Sequence, residues 1–110
     1  VWQKARVLVK VIYQITNTFP KEETFGITSQ MRRAVVSIPS NIAESCSRNS
    51  DIEFKRFLEI AIGSLFEVET QLVIAQELNF ITVNKLETIF TLIQKEARMI
   101  NSLINKIKNS

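Results

Sequence analysis

The sequence predicts an all-α fold: an antiparallel up-and-down four-helix bundle with a proline-kinked second helix, in a single domain over residues 1–110. Three observations carry this. Apolar residues recur at spacings of three and four through four long stretches. Only two glycines and two prolines punctuate 110 residues, so turns are few and elements long. Residues of apolar type make up 45% of the chain, which is ample for a core and argues against disorder.

The first helix is expected from about Trp2 to Asn17, with Ala5, Leu8, Ile12 and Ile15 as its buried stripe and Lys4, Arg6 and Lys10 off it. Phe19-Pro20 ends it, because a proline disfavours helix at the residue before it. Pro20 to Gly26 reads as a short polar loop carrying Glu22 and Glu23, with Phe25 tucked back onto the bundle.

The second helix, from about Ile27 to Ser47, organises the reading. Met31, Val35, Ile38 and Ile42 form one apolar stripe; Arg33, Ser37, Ser40, Glu44 and Arg48 form a polar one. Pro39 lies in the middle, where it lacks the N–H for the carbonyl of Val35 and crowds that carbonyl. The apolar stripe keeps its phase across the proline, which favours one kinked helix over a second helix starting at Pro39. Ser37, Ser40 and Asn41 are placed to satisfy the freed backbone groups. Glu44 either pairs with Arg48 at i,i+4 on the surface or joins Asn41 in a buried polar network at the kink.

Ser50 with Glu53 reads as a capping box that opens the third helix, which runs to about Asn79. Its core stripe is Phe54, Leu58, Ala61, Leu65, Val68, Leu72 and Ala75. Ile60, Ile62, Phe66, Val73 and Ile74 fall outside it or at its edges, and this surplus predicts a subunit interface, with Ile62, Phe66 and Val73 at its centre. The plainer reading is a wide stripe with ordinary exposed apolar residues. Gly63, beside Ala61 and Ser64, is expected where another helix approaches closely, since glycine there costs about 1 kcal/mol in helix propensity. Thr82 caps the fourth helix, which runs to about Lys108 with a seam of Leu86, Ile89, Ile93, Ala97, Ile100, Ile104 and Ile107. Lys106 and Lys108 suit the negative end of its dipole.

Composition excludes most chemistry. The sequence holds no histidine and one cysteine, so Glu-x-x-His metal sites, a cysteine–histidine pair and a disulfide framework are ruled out, and Cys46 reads as structural. The glycines stand alone and form no phosphate loop. Glu67 and Glu69, two apart, point to different helix faces and make no catalytic pair. No catalytic residue, metal or cofactor is expected, and the chain is read as a non-enzyme. The absence of disulfides fits a cytoplasmic location, and no stretch reaches membrane-span length. The chain opens on Val1, and a few further residues are expected before it.

The net charge of +3 is unevenly placed. The first helix has three bases and no acid, and the fourth has five bases against two acids; the third has two bases against six acids. Arg32, Arg33, Arg48, Lys55 and Arg56 are candidates for one basic surface, with Lys4 and Lys10 beside it. Such a surface binds phosphates in a salt-dependent, largely sequence-blind way. The competing reading is a solvated charged face.

Arg32-Arg33-Ala34, Ser37-Ile38-Pro39-Ser40-Asn41-Ile42-Ala43-Glu44 and Arg48 resemble the signature of the 23S rRNA intervening-sequence four-helix proteins, a group that includes the accessory variability proteins of diversity-generating retroelements. Trp2, Ala5 and Leu8, the Phe19-Pro20-Lys21-Glu22-Glu23 turn with Gly26, and Phe54, Phe57, Leu58, Ala61, Gly63-Ser64-Leu65 and Glu67 extend the resemblance over about Trp2 to Phe80. One departure is Ser45, where the family more often has glycine. The resemblance implies a basic, pentameric bundle without enzymatic activity, in which Pro39, Asn41, Glu44 and Gly63 are structural. For the retroelement members it also implies a reverse transcriptase and its RNA as partners, while RNA or DNA as a ligand of this chain rests on the basic residues. The favoured reading is a homo-oligomeric helical scaffold that binds nucleic acid and spans no membrane. The rivals are a protein–protein adaptor, in which the arginines pair with a neighbour's glutamates, and an orphan structural protein of a mobile insertion.

Overall fold

A computed structural model describes residues 1–108, the side chain of Lys108 excepted. Four α-helices follow one another: α1 (Trp2–Thr16), α2 (Ile27–Cys46), α3 (Asp51–Glu77) and α4 (Val83–Lys108), with a single 3-10 turn at Lys21–Glu23 between the first two. Each helix packs on the next, and α4 closes back on α1. The molecule is elongated, 46 Å by 25 Å by 19 Å.

One stripe per helix makes the core. Ala5, Leu8, Ile12 and Ile15 of α1 and Met31, Val35, Ile38 and Ile42 of α2 are buried, as their spacing predicts. From α3 come Leu58, Ala61, Leu65, Val68, Leu72 and Ala75, with Phe54 half-buried at the edge. From α4 come Ile89, Ile93, Ile100 and Ile104, flanked by half-buried Leu86, Ala97 and Ile107. Phe19 and Phe80, from the turns that follow α1 and α3, meet with ring centroids 5.5 Å apart, so these two turns lie at the same end of the molecule.

The chain stays helical through Pro39, which is buried. Side chains cover carbonyls in the adjoining turns: Ser37 Oγ donates to Ala34 O (2.9 Å), Ser40 Oγ to Val36 O (2.9 Å) and Asn41 Nδ2 to Ser37 O (2.7 Å). Ser37 and Ser64 share a hydroxyl–hydroxyl hydrogen bond that ties the middle of α2 to α3. Ser45, the departure from the family pattern, is buried and donates to Ile42 O at 2.6 Å.

The caps follow the sequence signals. Ser50 Oγ accepts from Glu53 N and Thr82 Oγ1 from Lys85 N, each at 3.2 Å. At the end of α3, Asn79 takes φ 64°. Asn79 N then donates to Gln76 O (2.9 Å) and Phe80 N to Ala75 O (2.8 Å), the paired bonds of a Schellman stop. The helix therefore ends at Glu77, slightly before the expected Asn79, because asparagine tolerates the left-handed conformation that terminates it.

Two expectations fail. Phe25 does not tuck onto the bundle but is 95% exposed, since it lies in the turn before α2 with no core stripe to join. Gly63 is not at a close helix approach: it faces solvent, and a Cβ added there meets nothing within 4 Å. Asn79→Val should lower unfolding stability by about 1–2 kcal/mol, the cost of a β-branched residue in the left-handed region, while Asn79→Gly should not; urea unfolding of the two variants checks this.

Candidate functional site

The seven basic candidates do not form one surface. Arg32 lies on the side of α2 that faces the last turn of α1. Its Nε donates to Thr16 Oγ1 and its Nη2 to Asn17 Oδ1, both at 2.9 Å, with a longer contact of 3.5 Å to Tyr13 O. The guanidinium stacks over the Tyr13 ring, 4.6 Å from its centroid. Arg32 thus sits at the negative end of the α1 dipole and joins α1 to α2. It is a structural clamp rather than the free cation that the sequence predicts.

Arg33, next to it, is exposed and outside any ion pair among the described residues. It lines an open groove with Tyr13, Phe25, Val36 and Asn41. Arg48 lies sixteen residues beyond Arg32 and about 24 Å further along the α2 axis. Arg48 Nη2 bonds Glu44 Oε2 at 2.7 Å, and the guanidinium packs 4.7 Å from the centroid of Phe57. Glu44 is therefore a surface partner of Arg48 and not part of a buried network with Asn41. Both side chains are about half exposed, so the pair contributes only some tenths of a kcal/mol. Arg56 stands 3.8 Å from Glu53, and Lys55 is half-buried. Lys4 and Lys10 are exposed on α1, but six positions separate them by about 240° around the helix.

The structure instead joins Lys4 to two cations of α4 that are absent from the sequence-derived set. Lys4 and Val7 of α1 line a cavity of about 360 Å³ with Leu92, Lys95, Glu96, Arg98, Met99 and Ser102 of α4. Among the described residues no cation of this group lies within the 4.0 Å of an ion pair with Glu96. Glu96 is 1% exposed, and neither carboxyl oxygen has a hydrogen-bond partner. Burial raises its pKa to about 7, against the opposite pull of the Val1 amino group and Lys4. The sequence does carry a signal for it. Steps of three and four from Ile93 to Ile100 pass equally through residue 96 or residue 97, and hydropathy alone favours Ala97. The packing places Glu96 in the seam and leaves Ala97 half-buried. No group of histidine, cysteine, aspartate or glutamate among the described residues is arranged to hold a metal ion.

The outward side of α3 differs from its expected composition. Phe66 (56% exposed) and Val73 (37%) face solvent as expected for an interface, but Ile62 is half-buried against the core. Ile62 follows buried Ala61 and borders the core stripe, whereas Ile60 and Ile74 lie on the open side. Gly63 lies on that same side, between Ile60 and Phe66.

The 23S rRNA-intervening sequence protein family model matches residues 1–102. The chain belongs to this family. A crystal structure of a protein of unknown function, from the S23 ribosomal protein family of Bacteroides thetaiotaomicron VPI-5482, superposes with a TM-score of 0.86. It is 24% identical and the match covers 94% of this chain and 96% of that one, which shows the shared fold. No functionally curated protein matches. In this member of the intervening sequence family no helix among the described residues is long and apolar enough to cross a membrane.

Glu96 carries a stability prediction. Its carboxyl titrates near 7 in the folded chain and near the ordinary 4.5 when unfolded. The folded state therefore holds the extra proton between those values, and stability falls as pH rises through that window. Glu96→Gln removes this effect. The variant's stability relative to the parent should grow between pH 4.5 and 7 by on the order of 3 kcal/mol and level off above; urea unfolding at a series of pH values measures it.

Proposed function

We propose that this protein is a non-enzymatic, homo-oligomeric helical scaffold that binds nucleic acid through a basic face formed by α1 and α4. The observation that carries the reading is the state of the cations there. Lys4 on α1 and Lys85, Lys95 and Arg98 on α4 are all exposed, and none is in an ion pair among the described residues. Helix α1 offers no acid, and one of the two acids of α4 is the buried Glu96. The phosphate backbone is the ligand such a face suits, with affinity dominated by counterion release. The family description links its members to sequences intervening in 23S rRNA, which makes structured RNA the first ligand to try. Acidic α3 packs on α2 and α4 and makes no close backbone approach to α1 among the described residues, so its acids lie away from α1.

The outward side of α3 supports self-association. Ile60, Phe66, Val73 and Ile74 expose apolar surface beside Gly63, where a second helix meets no side chain. A ring of five copies is what the family resemblance implies. A reverse transcriptase as partner rests on that resemblance too.

Fluorescence anisotropy with structured RNA and duplex DNA at several salt concentrations tests the reading. Binding should weaken as salt rises. A Lys4→Ala/Lys95→Ala/Arg98→Ala variant should show a slope shallower by roughly 0.9 for each duplex phosphate that it no longer neutralises. No binding at low salt by folded, assembled protein would remove the nucleic-acid function and leave the adaptor reading. Phe66→Glu should shift the mass measured by light scattering toward the monomer; an unchanged mass would place the interface elsewhere. Arg32→Ala should lower thermal stability, by about 1–3 kcal/mol for a charged hydrogen-bonding group, rather than alter the salt slope.

A further inference from the structure

The cavity between α1 and α4 combines two features that do not belong together in a merely structural seam. Its rim carries Lys4, Lys95 and Arg98, with the Ser102 hydroxyl beside them. Its floor holds Glu96, buried to 1% and with both carboxyl oxygens unpartnered. A structural acid so placed would be expected to bond one of its neighbouring cations, and breaking or omitting such a pair is costly. Here the cations stay more than 4.0 Å from it and remain available at the rim.

We propose that this cavity is a phosphodiester-binding site, in which Lys4, Lys95 and Arg98 hold the anion and Glu96 beneath them takes up a proton as it binds. The proposal rests on the nucleic-acid reading for its ligand and adds the site and its regulation. An anion at the rim and an ionised Glu96 below it repel each other across a poorly solvated floor. The proton removes that repulsion, and by linkage the bound anion raises the proton affinity of Glu96 in return. The chemistry excludes a cationic ligand, because three cations at the rim outweigh one acid at the floor. The charged groups that bear on Glu96 are the Val1 amino group and Lys4 from α1, with Lys95 and Arg98 on its own helix. No charged side chain of α3 lines the cavity among the described residues. Glu96 titrates near neutrality, so the linkage operates in an accessible pH range.

The test uses ligands that do not themselves titrate there: sulfate as a free oxyanion and a short single-stranded oligouridylate as a phosphodiester chain. The Glu96 carboxyl is followed by ¹³C NMR from pH 5 to 9, its signal assigned by its disappearance in Glu96→Gln. Oligonucleotide affinity is measured in parallel at pH 6 and pH 8. The oligonucleotide should raise the Glu96 midpoint and bind about fivefold tighter at pH 6, the lower end of ordinary coupling. Glu96→Gln, checked for folding by circular dichroism, should bind equally at both pH values. Oligonucleotide binding with no movement of the Glu96 midpoint overturns this site and leaves the broader nucleic-acid reading standing. Absence of oligonucleotide binding at both pH values overturns this site, while the broader nucleic-acid reading stands or falls on the structured-RNA and duplex-DNA titrations. A midpoint moved equally by sulfate, without tighter binding of the oligonucleotide, overturns the phosphodiester ligand in favour of a free oxyanion.

Discussion

The shared core of this fold accepts one stripe from each helix, and the rest of the structure depends on that limit. Burial of an aliphatic side chain contributes about 1.5–3 kcal/mol, so the stripes of Ala5 to Ile15, Met31 to Ile42, Leu58 to Ala75 and Ile89 to Ile104 set the rotation of every helix. Once rotation is set, each remaining position is assigned to a seam or to solvent. Phe66 and Gly63 come to lie outside because Leu65 and Ala61 lie inside. Arg32 comes to face α1 because Met31 and Val35 face the core. The functional surface is thus what the packing leaves over, and its character follows from the residues at those positions.

The arginines of α2 show how one residue type divides between structure and surface. Arg32 meets a hydroxyl, an amide and an aromatic face at the end of α1. Arg48 meets the Glu44 carboxylate at the end of α2 and the Phe57 ring near the start of α3. Both anchor a helix end, where planar guanidinium geometry satisfies several partners at once. Arg33, one position from Arg32, is exposed and joins no ion pair among the described residues. The cations with the least internal bonding are therefore mostly those of α1 and α4. The mildly positive net charge conceals this, because the acids of α3 offset it from elsewhere in the fold.

Helix number, order and core were legible because each rests on local periodicity and on capping residues whose geometry is set within a few positions. Ser50, Thr82 and Asn79 show this, since each acts on backbone groups nearby. The candidate site was less legible because it depends on which helices are neighbours. Lys4 could be nominated from α1 alone, but its company, Lys95 and Arg98, follows only once α4 lies beside α1. Arg32 looked like a free cation because its partners are fifteen or more residues away in sequence. Ile62 and Ile60 are two apart on one apolar helix, and only the packing decides which is exposed.

Glu96 ties the packing of the core to the character of the surface. An acid in an apolar seam opposes the burial that holds the seam together, and the seam it occupies is between the two helices that carry the free cations. Simple stability would favour an apolar residue there, and the neighbouring steps of the stripe supply isoleucine at positions 93 and 100. A surface cation pair for Glu96 would relieve the burial cost but neutralise the rim. The observed arrangement does neither: the acid remains buried, and the cations stay outside ion-pair distance of it. That combination places a proton-sensitive group directly under the basic face, so that in the proposed site a change in protonation changes the field at the rim. A face built only for stability would keep burial and surface charge separate; in the proposed site the buried Glu96 carboxyl connects them.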